Sequence, residues 1–149
     1  MYLLYKKFLL ILLAITVNIS NVNSGSILEP YSKKAFDVAM SSSDPIVLHF
    51  HADWCGICHK QMKILKSLLK NDKYKEIVML QADFDASTRS LEESELIKRF
   101  SVNSRSTILF IKDAKVVYEI SNRKNVAAMV DEVSIGDGLD MLIKQTPKQ

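Results

Sequence analysis

The sequence predicts an α/β domain in which a central mixed β-sheet is flanked by helices. Apolar runs of strand length occur at positions 46–50 and 77–82 and alternate with amphipathic segments of helical period. Two further strand-like runs, at 107–111 and 116–120, are separated by a turn of hairpin length. Strands that alternate with helices and end in a hairpin are typical of a layered α/β domain.

The composition agrees with one globular domain. The chain has 149 residues, of which 48% are hydrophobic and 25% charged, a size that a single hydrophobic core serves. Its net charge of +3 gives no sign of a nucleic-acid partner. Two cysteines are too few for a scaffold of several disulfides, and the chain is long enough to fold without one.

The first residues have the layout of a secretory signal peptide, which we assign to 1–24. Lys6 and Lys7 precede an apolar run at 8–17, and a polar stretch with small residues follows. We expect cleavage near 24/25, which leaves a single mature domain at 25–149. Asparagines and serines after the apolar run come too early for a spanning helix, and retention as an uncleaved anchor is the alternative. A cleaved leader predicts a periplasmic or secreted protein without stable membrane insertion.

The mature domain is predicted to begin with a helix. Ser26 and Glu29 are spaced as in a capping box, and apolar residues at helical spacing follow between 35 and 40. This helix is expected to end near 41–43. The strand at 46–50 is apolar almost throughout, which indicates burial on both faces in the middle of a sheet.

A second helix is predicted over residues 55–70. Its apolar positions lie on one side and its lysines largely on the other, as in a helix that packs on a sheet. The remaining predicted elements follow in order. They are a strand at 77–82, a helix at 91–100, hairpin strands at 107–111 and 116–120 with a turn at 112–115, a helix at 126–133, a break at 136–138 and a resumed helix at 139–144.

Two cysteines lie where the strand at 46–50 gives way to the helix. The Cys-x-x-Cys spacing serves zinc sites and redox pairs, but such a zinc site normally uses two pairs and the chain has one. The amides and dipole of a helix N-terminus favour an anion, so Cys55 is expected to ionise below the usual cysteine pKa of about 8.5. Cys58, almost one turn further along, is close enough to form a short disulfide and is expected to be more buried.

This arrangement predicts thiol–disulfide exchange with protein partners. Cys55 attacks a partner's disulfide as the nucleophile, a mixed disulfide forms, and Cys58 resolves it by attacking Cys55. Run backwards, the same steps oxidise a dithiol. The expected partners are protein thiols and disulfides rather than nucleic acids, and no cofactor is needed beyond the redox-active disulfide.

A resemblance to a known family rests on three segments. They are ADWCGIC at 52–58, VMLQAD at 78–83 and TILF at 107–110. Together they resemble the thioredoxin family, and within it the periplasm-facing C-terminal domain of the transmembrane reductant DsbD, over roughly residues 30–121. The resemblance implies a thioredoxin-like fold of four or five strands, with Cys55 exposed as the attacking sulfur. We expect a monomer, with a membrane electron donor among its partners.

The resemblance further implies a docking surface around the cysteines. Its expected members are Trp54, Gly56, Ile57, Arg105, Ser106 and Thr107. Ser106 departs from the family, which usually has a cis-proline directly before this strand. A cis bond before a residue other than proline costs about 3–4 kcal/mol. We therefore expect a trans Arg105–Ser106 bond, and the alternative is a cis bond held under strain.

A second departure is His49, which falls where many family members place a buried acid that exchanges a proton with the resolving cysteine. Histidine can do this near its unperturbed pKa of about 6.5. The alternative is a hydrogen-bonded core histidine without a chemical role. Gly56 and Ile57 lack the proline common between the cysteines of the most reducing members, and no redox direction follows from them.

The sequence thus predicts a thiol–disulfide oxidoreductase outside the cytoplasm. The DsbD-like resemblance favours a reductant or electron relay over a primary oxidase. The alternative is a module that binds or delivers copper or zinc through Cys55 and Cys58, because sulfur ligands suit Cu(I) and zinc. A third hypothesis is a noncatalytic binding domain, although a disulfide that closes so short a loop stabilises little.

Overall fold

A computed structural model of the chain describes residues 28–144. Within this part of the chain it contains five strands and four α-helices. In chain order they are β1 (Leu28–Pro30), α1 (Lys33–Ser42), β2 (Ile46–His51), α2 (Gly56–Leu68), β3 (Val78–Asp83), α3 (Leu91–Arg99), β4 (Thr107–Lys112), β5 (Lys115–Ile120) and α4 (Glu132–Ile143).

The strands form one mixed sheet in the order β1-β3-β2-β4-β5. The central strand β2 pairs in parallel with β3 and antiparallel with β4. The strand β1 adds in parallel to β3, and β4 and β5 form the antiparallel hairpin. A central strand covered on both faces buries both sets of side chains, which explains why β2 is apolar almost throughout. The predicted mixed sheet flanked by helices is confirmed.

Helices cover both faces of the sheet and divide the core into two clusters. In one cluster, Leu65 of α2 packs with Phe110 of β4 and with residues of α4. In the other, Phe36 of α1 packs with Leu48 of β2 and with residues of α3. The central strand therefore lies between two apolar layers, and its last residue leads directly into the segment that carries the cysteines.

The start of the described chain differs from the prediction. The spacing of Ser26 and Glu29 predicts a helix start, but Leu28–Pro30 is a strand that pairs with β3. The helix α1 begins later, and its N-cap Ser32 accepts a hydrogen bond from the amide of Ala35 at 3.0 Å. The capping-box prediction is wrong because pairing with β3 draws this segment into the sheet. Ser26 itself lies outside the described residues.

The end of the described chain also differs. The predicted helix at 126–133 is a 3₁₀ turn at Val126–Ala128 followed by α4, which runs without interruption through Gly136 and Gly138. The predicted break at these glycines is therefore wrong. A Cβ atom at Gly138 would lie 2.6 Å from Cζ of Phe110, so the glycine lets α4 approach β4 closely. A glycine needed for close packing has the same appearance in a sequence as one that ends a helix.

The remaining boundaries lie near their predicted positions. The turn between β4 and β5 is shorter than predicted and consists of Asp113 and Ala114, both at positive φ (49° and 58°), as in a two-residue hairpin loop. No helix within residues 28–144 is long and apolar enough to cross a membrane. The predicted signal peptide at 1–24 and its cleavage point lie outside the described residues.

Candidate active site

The two cysteines lie at the junction between β2 and α2. The strand ends at His51, and after a short loop Cys55 is the N-cap residue of α2. Cys55 and Cys58 form a disulfide, and their Cα atoms are 5.2 Å apart. The Cys55 sulfur also accepts a hydrogen bond from the backbone amide of Cys58 at 3.1 Å. The structure thus contains the predicted short disulfide at a helix N-terminus.

The burial of this pair differs from the prediction of an exposed Cys55. In the disulfide form Cys55 is 5% exposed and Cys58 is 3% exposed, because the two residues pack against each other and against Ala52. What distinguishes them is their position on the helix. The Cys55 sulfur caps α2, whose first turn contains no acidic residue to oppose a negative charge there. This position favours Cys55 as the thiolate once the disulfide is reduced.

Trp54 forms the exposed rim of the site. Its indole Nε1 donates a hydrogen bond to Oδ2 of Asp85 at 2.7 Å, and the Arg105 guanidinium lies 4.1 Å from the ring centroid. Hydrogen bonds from the Ser87 backbone, from Trp54 and from the Ser87 hydroxyl, in that order of importance, lower the pKa of Asp85 to about 2. The carboxylate therefore stays charged near neutral pH and holds the indole in place.

The predicted docking residues fall into two groups. Four are exposed beside the disulfide: Trp54, Gly56, Ile57 and Arg105. Ser106 and Thr107 are buried, at 5% and 2% exposure. The backbone of Thr107 pairs with β2, and its hydroxyl donates a hydrogen bond to the Ser104 carbonyl. The side chains of Ser106 and Thr107 therefore shape the loop from within and are not part of the exposed surface.

Ser106 occupies the position at which the resemblance implies a cis-proline, but the Arg105–Ser106 bond is trans and the backbone of Ser106 is left-handed. The peptide bonds among the described residues are all trans, which confirms the trans prediction, and φ of Ser106 is 62°. Its N–H donates to the carbonyl of Phe50 at 2.8 Å, and its own carbonyl accepts from the side-chain amide of Gln61 at 2.9 Å. The loop before β4 is thus tied to both β2 and α2.

His49 is fully buried in β2 and contacts α2 through Gln61. Its Nε2 lies 3.0 Å from Oε1 of Gln61. Gln61 uses its amide N–H to reach the Ser106 carbonyl, so its oxygen is the atom that faces His49. This oxygen accepts a hydrogen bond from the Nε2–H group, so Nδ1 of the neutral ring carries no hydrogen and presents a lone pair. Nδ1 is buried and has no hydrogen-bond partner among the described residues.

The surroundings keep His49 neutral. Burial lowers its pKa to about 4, while the Gln61 hydrogen bond acts in the opposite direction and the neighbouring His51 adds a smaller lowering. Burial also lowers the pKa of His51, whose ring centroid is 6.4 Å away and whose Nε2 lies 3.3 Å from Oδ1 of Asp53. Near neutral pH both rings are uncharged, so His49 can accept a proton at Nδ1.

Gln61 and Asp85 are site residues that the sequence analysis did not identify. Gln61 follows Cys58 by three positions and is fully buried on the same side of α2 as Leu65. A polar residue on the apolar side of an amphipathic helix is a signal that could have identified Gln61. Asp85 lies two residues beyond the end of β3, and its contact with Trp54 spans 31 positions of the chain. No local pattern indicates such a contact.

No three His, Cys, Asp or Glu side chains among residues 28–144 are grouped so as to hold a metal ion. In the disulfide form, the sulfurs of Cys55 and Cys58 are bonded to each other. The metal-binding alternative therefore rests on the two cysteines in their reduced form, without a third ligand that the structure identifies.

Comparison with known proteins matches this fold and this site. The thioredoxin family model matches residues 28–134, which include every strand and both cysteines. A thioredoxin of Chlamydia muridarum is 30% identical over 93 residues, which are 62% of this chain and 83% of that protein. A thioredoxin of Mycobacterium tuberculosis is 27% identical over 95 residues, or 64% of this chain and 76% of that protein. The solved structure of thioredoxin O2 from Arabidopsis thaliana in the oxidized state is 26% identical, with a TM-score of 0.61 over 80% of this chain and 96% of the other.

Proposed function

Because the chain belongs to the thioredoxin family, whose members are thiol–disulfide oxidoreductases, we propose that Cys55 and Cys58 carry this reaction as nucleophile and resolving cysteine. One observation carries the proposal: the two cysteines are joined in a disulfide at the N-terminus of α2, within the fold that the chain shares with an oxidised thioredoxin. The substrates are protein disulfides, or protein dithiols when the reaction runs in reverse.

In the reductive direction, the dithiol form of the protein reacts with a partner's disulfide. The Cys55 thiolate attacks one partner sulfur, the partner's S–S bond breaks, and the other sulfur leaves as a thiolate that takes a proton from water. The Cys58 thiol then loses its proton and attacks the Cys55 sulfur. The mixed disulfide breaks, the Cys55–Cys58 bond forms, and the second partner sulfur leaves. Two electrons have passed from the protein to its partner.

We propose His49 as the acceptor of the Cys58 proton. The support is its place against Gln61, which follows Cys58 by one helical turn, together with the bare and buried Nδ1. An anion that forms at Cys58 raises the pKa of a nearby imidazole, which favours the transfer as the thiolate develops. The alternative role for His49 is a core residue that only completes the hydrogen bonds with Gln61 and Ser106.

We propose further that the protein acts in the periplasm or after secretion, as a reductant or electron relay supplied by a membrane electron donor. The support is the signal-like leader at 1–24 and the DsbD-like resemblance of the sequence. Export of the full chain in a bacterial host tests the location. The mature protein should then begin near Gly25 and be found outside the cytoplasm, whereas a full-length protein in the cytoplasm would contradict this part of the proposal.

Redox titration of the protein tests the function. In glutathione buffers the Cys55–Cys58 pair should cycle between disulfide and dithiol, and Cys55→Ser should abolish reduction of a protein disulfide. Ser67→Ala, on an exposed part of the same helix, should leave the activity unchanged. Cys58→Ser should accumulate a covalent mixed disulfide with the substrate. Unchanged reduction of the protein disulfide by Cys55→Ser would contradict the proposal. Recovery of one copper or zinc ion per reduced protein, together with negligible thiol–disulfide exchange, would favour the metal-binding module.

A further inference from the structure

Arg105 and Trp54 form an exposed cationic surface at the disulfide. The guanidinium stacks over the indole ring at 4.1 Å from the ring centroid, and Trp54 is 62% exposed. Trp54 directly precedes Cys55. Arg105 directly precedes Ser106, whose N–H and carbonyl are hydrogen-bonded to β2 and α2. The cation is therefore held at the rim both by stacking and by an anchored loop.

The Arg105 guanidinium has no ion-pair partner within residues 28–144. Of the two acidic groups beside Trp54, Asp85 accepts the indole N–H, whereas the Asp53 carboxylate is 95% exposed and lies 3.3 Å from Nε2 of the uncharged His51. Neither carboxylate forms an ion pair with Arg105. Among residues 28–144, no hydrogen bond engages the N–H groups along the edge of the guanidinium. That edge is the part of arginine that binds a carboxylate through two parallel hydrogen bonds.

The helix that presents Cys55 adds charge of the same sign. The exposed residues of α2 include Lys60, Lys63 and Lys66, and α2 contains no aspartate or glutamate. A partner with acidic residues around its cysteine is attracted to this surface, and a partner with basic residues is repelled.

We propose that Trp54 and Arg105 form a docking platform for partner proteins that carry an aspartate or glutamate beside their reactive cysteine. This inference rests on the proposed function, because it names the partner of the same disulfide. The indole ring offers an apolar surface to the chain around the partner's cysteine, and the Arg105 edge binds the neighbouring carboxylate. The selection acts when the mixed disulfide with Cys55 forms, before Cys58 resolves it.

Three disulfide-bonded peptides test the proposal. They are identical except that the residue beside the cysteine is Glu, Gln or Lys, and the measured quantity is kcat/KM for their reduction by the dithiol form of the protein. We expect the Glu peptide to react fastest and the Lys peptide slowest, with about a two- to fivefold difference between successive peptides, as for an exposed ion pair. Higher salt should reduce the difference.

Variants of Arg105 make the test specific. Arg105→Glu should reverse the order of the three peptides, and Arg105→Lys should keep the order with a smaller spread, since an ammonium group lacks the planar fork. Lys115→Glu makes the same charge change at an exposed position of the β4–β5 hairpin and should leave the order unchanged. Equal rates for the three peptides, or an order that survives Arg105→Glu, would overturn the docking proposal and leave the redox function intact. Failure to reduce any peptide or protein disulfide would contradict the redox function itself.

Discussion

His49 shows how burial, as the largest influence, sets the charge of one residue. The ring donates one hydrogen bond, to Gln61, and its other nitrogen is buried without a partner among the described residues. Burial therefore lowers the pKa of His49 to about 4, below the value of about 6.5 that histidine has in an unfolded chain. Protonation of this residue opposes folding, because the unfolded chain binds the proton more readily than the folded one.

This difference in pKa predicts acid sensitivity within a defined window. The free energy of unfolding should fall as pH drops from about 6.5 to about 4, where the unfolded chain takes up a proton at His49 and the folded chain does not. Above that window neither state is protonated, so the contribution vanishes. The expected loss from His49 is about 3 kcal/mol. Urea unfolding of the disulfide form at several pH values measures it.

Two variants isolate the contribution of His49. His49→Leu should lose less stability than the wild type over the same acid window, whereas His59→Gln, at an exposed histidine of α2, should lose as much as the wild type. If the free energy of unfolding fell equally with pH in the wild type and in His49→Leu, the buried imidazole would not be the cause of the acid sensitivity.

Gln61 is expected to fix the tautomer of His49. Gln61→Met removes the acceptor of the His49 N–H and the donor to the Ser106 carbonyl, so it should cost about 2–4 kcal/mol of unfolding free energy. In spectra of the histidine ring nitrogens, the wild type should show His49 protonated at Nε2 and bare at Nδ1. Gln61→Met should show a mixture of the two tautomers.

Gln61→Glu is the matched variant, since it keeps an acceptor for His49 and adds a negative charge. It should retain the protonated Nε2 and raise the pKa of His49. The pH dependence of partner release from the mixed disulfide should therefore move to higher pH in Gln61→Glu. A purely structural role for Gln61 would instead lower stability in both variants and leave this pH profile in place.

The contrast between the cysteines and Gln61 shows what a sequence can predict at the scale of residues. Cys55 and Cys58 were identified because their signal is local: two thiols three positions apart, where a strand gives way to a helix. Gln61 bonds to residues 12 and 45 positions away, His49 and Ser106, and only the folded sheet brings these three together. The stacking of Arg105 on Trp54 is hidden from the sequence for the same reason.

At the scale of elements, α4 contains two glycines in opposite surroundings. A Cβ atom at Gly138 would lie 2.6 to 2.8 Å from three ring atoms of Phe110, whereas a Cβ atom at Gly136 would meet nothing within 4 Å. Phe110 is completely buried in the core and has little freedom to move aside. Gly138 is therefore needed for the packing of α4 on β4, and Gly136 is not.

This difference predicts effects of opposite sign from the same substitution. Gly138→Ala should destabilise the protein by about 1–3 kcal/mol, because it overpacks the contact with Phe110. Gly136→Ala should stabilise it by up to about 1 kcal/mol, because alanine is the better helix former. Urea unfolding of the two variants beside the wild type measures both effects. Stabilisation by Gly138→Ala would show that Phe110 yields space easily and that the packing argument is wrong.

The sequence predicts those helices and strands whose characteristic spacing of apolar residues lies within the element itself. The helices α2 and α3 carry an apolar stripe at helical spacing, and β2 and β4 carry apolar runs, so each was located to within about two residues. The strand β1 is three residues long and exists through its pairing with β3, a contact about 50 positions away along the chain. Local spacing at Ser26 and Glu29 could not reveal that pairing.

At the scale of the whole molecule, the sheet topology assembles the site. The end of β2 leads to Cys55, the end of the parallel neighbour β3 leads to Asp85, and the start of the antiparallel neighbour β4 follows Arg105 and Ser106. The register places Phe50 opposite Thr107 and His51 opposite Asp83, so these strand ends meet at one edge of the sheet. Three separate segments of the chain therefore supply the parts of the site, and only the complete fold brings them together. The first supplies the disulfide and the Trp54 indole, the second the Asp85 carboxylate, and the third the Arg105 guanidinium.

The same fold links the redox state of the cysteines to the stability of the whole protein. A thermodynamic cycle connects the two quantities. The disulfide and dithiol forms differ in unfolding free energy by an amount set by the difference in reduction potential between the folded and the unfolded cysteine pair. About 30 mV of potential corresponds to about 1.4 kcal/mol. A fold adapted to reduction gives up electrons more readily when folded than its unfolded chain does. We therefore expect the disulfide form to have the larger free energy of unfolding.

Urea unfolding at neutral pH, with and without a dithiol reductant, measures this difference in stability. The double variant Cys55→Ser, Cys58→Ser is the control, since it cannot change redox state and should unfold identically under both conditions. A larger free energy of unfolding for the dithiol form would mean that folding makes the Cys55–Cys58 pair more oxidising than it is in the unfolded chain. That result would contradict the expectation for a reductant and leave thiol–disulfide exchange at Cys55 and Cys58 intact, because the attack of Cys55 on a disulfide does not depend on which way the equilibrium lies.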